Sequence, residues 1–504
     1  AVGYLRRQGL RRFLARLGWS LLCRIDSLLL HRSKRWKSHF DQATLGALKG
    51  QRLDVTPTVS KSGFVYRYGD DDLAAIRALG LDVLVRCGSG ILKGGILVVC
   101  RFGVLSFHHA DNRVNRGGPP GFWEVFNRDP ATGFVIQRLS EELDGGDVLL
   151  AGSIPTAFYF SLNQARVFRK SNAFLHGLLD RMGREGRLPD ARPKQPYAYP
   201  LYRMPGLVDQ ARYLFGRLLP RAVKKVWHKT VSRRQLCWNV GYLPVGDWRE
   251  ASLRKVRPIP NPPGHFLADP FLWWADGKAY CFVEDYDFAV GRGHLSVYRL
   301  DDEGPKPLGP VLKEPFHLSF PFLFQWQGDL LMCPECYESG EIRLYRCEQF
   351  PDRWVHFKTL MAGVAAADTQ LFEKDGLWWM LTNIDSGDIK DRNSELHVFF
   401  ADSPVSDHWT AHPGNPVVFD ALQARNGGLI IEGSRIFRVF QVQGFDTYGE
   451  AMGVAEITHL SETGYTEKVL CTLPPKFLPG LLGTHSMAFR DGLLAVDFLR
   501  REKP

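Results

Sequence analysis

The second half of this 504-residue chain repeats one pattern five times, and the repeat constrains the fold more than any other feature. In each unit a strand-like run ends at a tight turn, Asp-Gly or its equivalent, and a second strand-like run follows. The aligned glycines are 51, 48, 57 and 59 positions apart: Gly277, Gly328, Gly376, Gly433 and Gly492. Repeated hairpins at this spacing are typical of propeller blades. We therefore predict a five-bladed β-propeller, with a β-sandwich as the alternative.

Acidic residues recur at matching positions in these units. Asp269 and Asp368 lie eight residues before the aligned glycine, and Glu284 and Glu335 lie seven after it. Equivalent positions of neighbouring blades converge near a propeller axis, so we expect these four carboxylates to line one substrate-binding pocket. Glycoside hydrolysis requires such paired carboxylates. The alternatives are carbohydrate binding, with stacking on Trp273, Trp326, Trp378 and Trp379, or a structural role in which the acids cap turns and the tryptophans pack between blades.

The first part of the chain has an α/β pattern. Residues 72–79 are helix-like, and the short apolar runs 83–86, 96–99 and 104–107 are predicted strands. Short apolar strands alternating with helices favour a parallel sheet, in which functional side chains collect at the carboxyl ends of strands. His108 directly follows the third predicted strand. An imidazole at that position is a candidate proton shuttle.

Linked motifs surround His108. Ser106 lies two residues before it, Arg116-Gly117-Gly118-Pro119-Pro120 follows, and Leu143-Asp144-Gly145-Gly146-Asp147 ends the series. A carboxylate in the glycine-flanked turn at Asp144 can reach a neighbouring imidazole and hold its tautomer. Backbone N–H groups in such a turn can bind a developing oxyanion. These residues alone do not identify a reaction.

The spacing of these motifs between residues 81 and 150 resembles that of folate-dependent formyltransferases, whose strand ends in Asn-x-His. The resemblance implies that a substrate amine attacks the formyl carbon of 10-formyltetrahydrofolate. His108 would then stabilise the oxyanion, Asp144 would hold that imidazole, and Arg116 would contact the substrate. The residues that would bind the folate are Gly88, Ile91, Leu92, Leu143 and Gly145. Ser106, a candidate catalytic residue, replaces the family's Asn, so a domain that only binds is the alternative.

The repeat region has a resemblance of its own. The segments FLADPFLWWADGKAYCFVEDYD and HLSFPFLFQWQGDLLMCPE resemble the glycosidase-like propeller domain that is fused to plant sphingolipid glucosamine transferases. Pairing the two resemblances implies formyl transfer to an amino sugar or a nucleotide-linked sugar. The alternative is a glycan-binding or glycan-processing protein whose propeller is active and whose formyltransferase-like domain is inactive.

These patterns predict an α/β plus all-β protein with three parts. We expect a Rossmann-like formyltransferase domain over 1–185, a linker and basic helical connector over 186–236, and the propeller over 237–504. The chain starts within a helix-like pattern, so we expect the first strand of the α/β fold to be absent. Nine cysteines without zinc-binding spacing argue against a metal site and suit a reducing, cytoplasmic compartment.

The net charge of +10 permits an anionic partner. Nucleic acid is disfavoured because the basic clusters lack interleaved aromatic residues and recognised modules. The expected partners are a small-molecule amine or amino sugar and, alternatively, a glycan. No uninterrupted apolar run reaches the length of about 18–20 residues that spans a bilayer. The leucines and arginines between Tyr4 and Leu29 predict a basic amphipathic helix, which either packs on the sheet or contacts a membrane surface.

Overall fold

The structure, a computed structural model, describes residues 10–31, 50, 52–88, 90–111, 116–142, 145–193, 201–227, 230 and 234–502. The chain forms two compact units, residues 1–220 with 386–389 and residues 221–385 with 390–504. Among the described helices, none has both the length and the hydropathy that a membrane span requires.

The first unit combines helices with short strands. Its helices are α1 (Leu10–His31), α2 (Asp70–Ala78), α3 (Phe122–Asn127), α4 (Phe160–Glu185) and α5 (Leu207–Tyr213). A π-helical turn (Leu214–Leu218) follows α5 and leads into α6 (Leu219–Trp227). The strands are β1 (Thr58–Val59), β2 (Val65–Arg67), β3 (Leu84–Arg86), β4 (Ile91–Leu92), β5 (Val104–His108), β6 (Arg116–Gly117), β7 (Ala131–Arg138), β8 (Asp147–Pro155) and β9 (Leu201–Tyr202).

A four-stranded sheet in the order β3-β5-β7-β8 carries the predicted catalytic strand. β3 and β5 are parallel, with Leu84 opposite Val104, whereas β7 pairs antiparallel with both β5 and β8. Smaller sheets join β1, β2 and β4, and β6 and β9. The sheet is therefore mixed, and the predicted all-parallel order is wrong beyond the first pair of strands.

One predicted strand is a turn of 3₁₀ helix. Residues 96–99 were expected to be extended, but Gly95–Val98 forms the 3₁₀ turn directly after Gly94, whose φ is 82°. Its buried side chains pack against α2, while Val98 is 77% exposed. Four apolar residues are too few to distinguish a strand from one helical turn by their period.

The second unit consists of antiparallel sheets. Four of them use consecutive strands, within residues 265–312, 319–362, 367–419 and 426–473. The fifth joins strands from both ends of the unit, within residues 235–259 and 487–502, which pair with each other. Successive four-stranded sheets with such a closing pair are propeller-like.

The strands of the second unit are mostly seven to eleven residues long. They are β10 (Gln235–Pro244), β11 (Arg257–Ile259), β12 (His265–Ala275), β13 (Lys278–Asp287), β14 (Arg292–Asp301), β15 (Gly304–Leu312), β16 (Ser319–Trp326), β17 (Asp329–Glu335), β18 (Glu341–Gln349), β19 (Arg353–Ala362), β20 (Ala367–Lys374), β21 (Leu377–Asn383), β22 (Glu395–Ala401), β23 (Thr410–Ala411), β24 (Val418–Phe419), β25 (Asn426–Glu432), β26 (Arg435–Gly444), β27 (Thr447–Leu460), β28 (Tyr465–Leu473), β29 (Met487–Arg490) and β30 (Leu493–Glu502).

The five aligned glycines all lie in hairpin turns. The turns Asp276-Gly277, Asp375-Gly376 and Asp491-Gly492 each have two successive residues with φ between 47° and 80°. Two central residues of positive φ define the type I′ turn, whose twist matches that of the flanking strands. The predicted hairpins are confirmed by the pairing of β12 with β13, β16 with β17, β20 with β21, β25 with β26 and β29 with β30.

We expect Gly428→Ala to destabilise the second unit by about 2–3 kcal/mol. Gly428 lies beside a bulge in β25 with a φ of 149°, and a Cβ there would lie 2.1 Å from the carbonyl oxygen of Met487 in a neighbouring sheet. Gly433→Ala is the matched control, because Gly433 also has a positive φ but has open space around it. Its loss should be about 1 kcal/mol. Denaturant unfolding measures both losses, and equal values would contradict the packing argument.

Candidate functional site

Asp269 and Asp368 occupy equivalent bulges in the second unit. Their φ angles are 48° and 47°. The pairing register shifts once across each of them, in β12 and in β20. A bulge re-aims a side chain, and aspartate tolerates the left-handed backbone conformation better than most residues. The repeat therefore positions two carboxylates by the same local device.

These two acids and two glutamates lie around one cavity of about 340 Å³ in the second unit. Asp269, Glu284 and Glu335 line the cavity, while Asp368 is buried and bonded to a lining residue, Arg425. The structure thus brings together all four predicted carboxylates, whose role in substrate binding stays a prediction. The other lining residues are aromatic, basic or polar: Trp238, Phe266, Tyr286, Tyr448, His317, His485, Lys390, Arg392, Arg425, Ser319 and Asn393.

Arg425 holds two of the acids together. Its Nε lies 2.6 Å from Asp368 Oδ2, and its Nη2 lies 2.9 Å from Glu335 Oε2. Burial raises the pKa of Asp368 well above its usual range in spite of this guanidinium. For Glu335 burial acts in the same direction, but Arg425 and a hydrogen bond from Asp368 outweigh it and lower the pKa. Asp368 therefore holds a proton under conditions in which Glu335 is charged.

A second chain of contacts runs through His485. Its Nδ1 lies 2.7 Å from Asp497 Oδ2 and its Nε2 lies 3.4 Å from Asp269 Oδ1. Burial lowers the pKa of His485, but Asp497 and Asp269 overcome this effect and raise it above the usual value. Burial raises the pKa of Asp269 to about 6, against the opposing effect of His485. This imidazole therefore links two carboxylates.

Glu284 faces another histidine. His317 Nε2 lies 3.5 Å from Glu284 Oε1, while His317 Nδ1 accepts a hydrogen bond of 3.0 Å from the backbone N–H of Gly293. That bond leaves the imidazole proton on Nε2, which points toward the carboxyl group. Burial, together with the charges of Asp269 and Glu335, raises the pKa of Glu284 well above its usual range. A protonated acid near a charged one is a general acid–base arrangement.

The residues around His485 could also hold a metal ion. Ligand atoms of Asp269, His485 and Asp497 all lie within 4.8 Å of one another, and all three residues are buried. Among the described residues, no other group of three His, Cys, Asp or Glu side chains has its ligand atoms this close together. The cysteine spacing that argued against a metal site does not bear on this group, which contains no cysteine.

The four candidate tryptophans follow the structural alternative and pack in or against hydrophobic cores. Trp273 and Trp379 are 6% and 2% exposed, and the half-buried Trp326 and Trp378 pack against one further core. Trp378 and Trp379 are adjacent on β21 and point to opposite faces of their sheet, so both faces of that sheet are packed. Trp238 lines the cavity instead, with its ring centroid 4.0 Å from that of His485.

Arg425 and His485 were not identified from the sequence, although the repeat contained a signal for both. Arg425 lies eight residues before Gly433, the position that Asp269 and Asp368 occupy in their own units. His485 lies one residue beyond the same position of the fifth unit. Cations at these positions carry the same positional signal as the acids.

We expect the carboxyl group of Asp269 to contribute a loss of stability to the second unit as the pH rises from about 4 to about 6, and Asp269→Asn to remove this contribution. The native pKa of about 6 exceeds the unfolded value of about 4, so the folded chain binds more protons in this window. Asparagine keeps the side-chain shape and tolerates the positive φ. The variant's stability relative to the parent should rise by up to about 3 kcal/mol between pH 4 and 7, measured by denaturant unfolding. Parallel pH profiles would contradict the raised pKa.

In the first unit, Ser106 and His108 lie at the carboxyl end of β5. Ser106 is 2% exposed, and its Oγ accepts a hydrogen bond of 3.0 Å from Nη1 of Arg86, on the parallel strand β3. Nη2 of Arg86 donates to the carbonyl of Gly90, in the segment predicted to bind folate. One guanidinium therefore joins that segment to the predicted catalytic strand. Arg86 was not identified from the sequence, because its position at a strand end gives no sign of its partners.

The neighbouring His109 packs against α4. Its Nε2 lies 3.0 Å from the Ser171 Oγ in α4, and its ring contacts Phe168 at a centroid distance of 4.4 Å. Burial and the neighbouring His108 lower the pKa of His109 to about 4. It is a neutral, packed side chain at neutral pH.

The remaining predicted residues of the first unit differ in how much of them the structure describes. Leu143 and Asp144 lie outside the described residues, so the pairing of Asp144 with His108 stays a prediction. Arg116 is described only as backbone, in β6. The Gly145 N–H donates to the Glu142 carbonyl at 3.3 Å. Gly88 follows β3, and the half-buried Ile91 and Leu92 form β4.

Known relatives match the two parts of the chain separately. Residues 256–473 match the family model described as glucosamine inositolphosphorylceramide transferase 1, N-terminal. The transferase of that name from Arabidopsis thaliana is 33% identical over 211 residues, which cover 41% of this chain and 27% of the relative. Over the N-terminal region, methionyl-tRNA formyltransferase of Deinococcus radiodurans is 38% identical over 89 residues, 17% of this chain and 28% of that protein.

Among solved structures, the catalytic domain of Coprinopsis cinerea GH62 α-L-arabinofuranosidase aligns with a TM-score of 0.37 and 11% identity, covering 53% of this chain and 97% of that one. The chain spans less than a third of the length of the transferases named above. Its repeat region is similar to the N-terminal region of glucosamine inositolphosphorylceramide transferases, and its first part is similar to methionyl-tRNA formyltransferases.

Proposed function

We propose that the chain transfers a formyl group from 10-formyltetrahydrofolate to the amine of an amino sugar, free or nucleotide-linked. The observation that carries the proposal is the arrangement at the end of β5, where Ser106 and His108 share a strand and Arg86 from β3 is bonded to Ser106. The similarity of this region to methionyl-tRNA formyltransferases supports the reaction class.

The side chains at this strand end suit a reaction that develops negative charge on a carbonyl oxygen. Bound 10-formyltetrahydrofolate would supply the formyl carbon. His108 would stabilise the developing charge and relay the proton of the attacking amine to the departing folate nitrogen as its bond to the formyl carbon breaks. Asp144 would hold the imidazole. Ser106 Oγ accepts from Arg86, and its own hydroxyl lies 3.2 Å from the Phe107 carbonyl oxygen. Arg86 therefore adds a positive charge beside Ser106, the residue that stands at the position of the family's Asn.

The residues proposed to hold the folate fit a flat ring that is part polar and part apolar. Ile91 and Leu92 are half-buried aliphatic side chains, and β4 pairs with β2 through Val65 and Tyr66. Gly88 has open space where a side chain would stand. The bond from Arg86 to the Gly90 carbonyl holds this segment at the catalytic strand. Leu143 and Gly145 would complete the binding surface.

The acceptor is inferred from the second unit. We propose that its sheets are the five blades of a propeller and that the cavity beside Asp269, Glu284 and Glu335 binds a sugar. Carboxylates can accept hydrogen bonds from hydroxyl and ammonium groups, and Trp238 and Tyr448 offer aromatic surface. The similarity of residues 256–473 to a glucosamine transferase region supports an amino sugar.

A transfer assay with the full chain tests this function. The chain is incubated with 10-formyltetrahydrofolate and a panel of free and nucleotide-linked amino sugars, and formylated products are detected by mass spectrometry. We expect turnover with at least one of these amines and none with the matching N-acetylated sugars, which lack a nucleophilic amine. Absence of product with every amine would overturn the proposal.

A second candidate function is processing of a glycan in the second unit. It is favoured by the raised pKa of buried Glu284 beside Glu335, whose pKa is lowered. Two substitutions distinguish this function from formyl transfer. If the propeller performs the chemistry, Asp269→Asn abolishes activity and His108→Ala leaves it intact, whereas formyl transfer requires His108 at the reacting atoms.

A further inference from the structure

Helix α1 is apolar on two opposite sides. Within the described part of the first unit the inner side is packed and the outer side is exposed. The inner side buries Leu22, Leu30 and Asp26, whose carboxylate accepts hydrogen bonds from the Ser161 N–H and the Tyr213 hydroxyl. The outer side carries six aliphatic side chains that are 37–62% exposed: Leu10, Leu14, Leu17, Leu21, Ile25 and Leu28. Steps of three or four residues place these six in one stripe along the helix.

The charges of α1 are arranged around this stripe. Arg11 and Arg24 are exposed on the outer half of the helix. Asp26, the one acidic residue in the sequence of α1, is buried on the inner side. The outer half therefore presents aliphatic side chains and cations without an opposing negative charge of its own.

The apolar surface continues onto the helix that contacts α1. Gln210 of α5 donates to the Ala15 carbonyl at 2.7 Å, and a Cβ on Gly18 would lie 3.6 Å from Leu207 Cδ2. Beyond this contact, four apolar side chains are 42–63% exposed between residues 207 and 219: Leu207, Val208, Phe215 and Leu219. Arg212 is exposed among them.

A recess opens on this second helix. It has a volume of about 700 Å³, and its lining includes Phe215, Phe126 and Arg212. The π-helical turn Leu214–Leu218 forms part of its wall.

Asp209, the acidic residue of α5, caps the start of its own helix, because its carboxylate accepts a hydrogen bond of 3.0 Å from the Gly206 N–H.

We propose that the outer stripe of α1, together with the exposed side chains of residues 207–219, docks in the plane of an anionic phospholipid surface. An amphipathic helix with leucines on one face and arginines beside them binds the boundary between headgroups and acyl chains. The aliphatic side chains enter the boundary, and Arg11, Arg24 and Arg212 contact headgroup phosphates. This binding is peripheral and needs no spanning helix.

A second copy of the chain fits this face less well. Face-to-face association of two identical stripes would bring arginines of one copy toward arginines of the other, and like charges repel. An anionic bilayer instead neutralises each arginine. Charge complementarity therefore selects the lipid surface as the occupant.

Vesicle flotation with the full chain tests the proposal. We expect binding to vesicles of equal parts phosphatidylcholine and phosphatidylserine, weaker binding to phosphatidylcholine alone, and a decline with added salt. Leu17→Glu with Leu21→Glu should weaken binding by about tenfold or more, because two buried side chains are lost from the boundary. Arg11→Gln with Arg24→Gln should weaken it by about fivefold for each arginine and reduce the salt dependence.

Val98→Glu is the matched control, since Val98 is more exposed than any leucine of the stripe but belongs to the 3₁₀ turn beside α2. It should leave binding unchanged. Circular dichroism verifies that each variant folds. If the glutamate pair does not fold, the arginine pair still tests the proposal, because it leaves the apolar stripe intact. Absence of binding to anionic vesicles, or equal loss with Val98→Glu, would overturn the proposal. So would a dimer in light scattering that the glutamate pair dissociates, because the face would then be covered by a second copy.

Discussion

His108→Ala should lower the rate of formyl transfer by about 10²–10⁴-fold, the usual contribution of a positioned acid–base group. His108 ends β5, two residues after the buried Ser106 that Arg86 contacts. In the proposed reaction its imidazole meets the reacting atoms, so its loss should reduce kcat more than it changes the affinity for folate. The measurement is steady-state turnover with the best amine acceptor, together with a folate titration of each protein.

His176→Ala is the control for this substitution. His176 lies on α4 in the same unit, and its side chain is exposed. Turnover should stay within about twofold of the parent, as expected for an exposed residue outside the site. If His108→Ala retained nearly full turnover, His108 would have no role at the reacting atoms, and the second unit would become the better candidate for the chemistry.

Arg438→Met should destabilise the second unit by about 3–5 kcal/mol. Arg438 is fully buried, and its Nε lies 2.9 Å from Glu467 Oε2. Its guanidinium also donates to the backbone carbonyls of Gln423 at 2.9 Å and Ala424 at 3.3 Å. Methionine retains much of the volume but leaves the buried Glu467 carboxylate without its cation. Denaturant unfolding measures the loss.

Arg435 provides a closely matched control on the same strand, β26. Like Arg438, it pairs with a glutamate: its Nε lies 2.8 Å from Oε1 of Glu456 on β27. Its side chain, however, is 52% exposed. Water screens such a pair, so Arg435→Met should cost less than about 1 kcal/mol. Similar losses for both variants would show that burial does not set the strength of these ion pairs.

The repeat allowed the second unit to be predicted in detail. Because each hairpin turn needs residues that accept positive φ, Asp-Gly and its equivalents marked the turns directly. Equal offsets from those glycines then placed Asp269, Glu284, Glu335 and Asp368 in one region, since equivalent positions of repeated units have equivalent geometry. The same rule applied to all charged residues would have identified Arg425.

The first unit was less predictable because its signals are local and short. Residues 96–99 have the composition of a strand, but Gly94 turns the chain and the run closes into a 3₁₀ turn. The role of Arg86 depends on two partners, Ser106 and Gly90, that are distant from each other in sequence. The helical period of α1 was evident, but the exposure of one apolar side depends on tertiary packing.

The central claim, that the first unit binds a formyl-carrying folate beside His108, is tested most directly by a crystal structure of the full chain with 5-formyltetrahydrofolate, an unreactive analogue of the donor. We expect electron density for the pterin ring beside His108, in contact with Ile91 and Leu92. A complex with folate bound elsewhere, or crystals grown with saturating analogue that show none at His108, would contradict it.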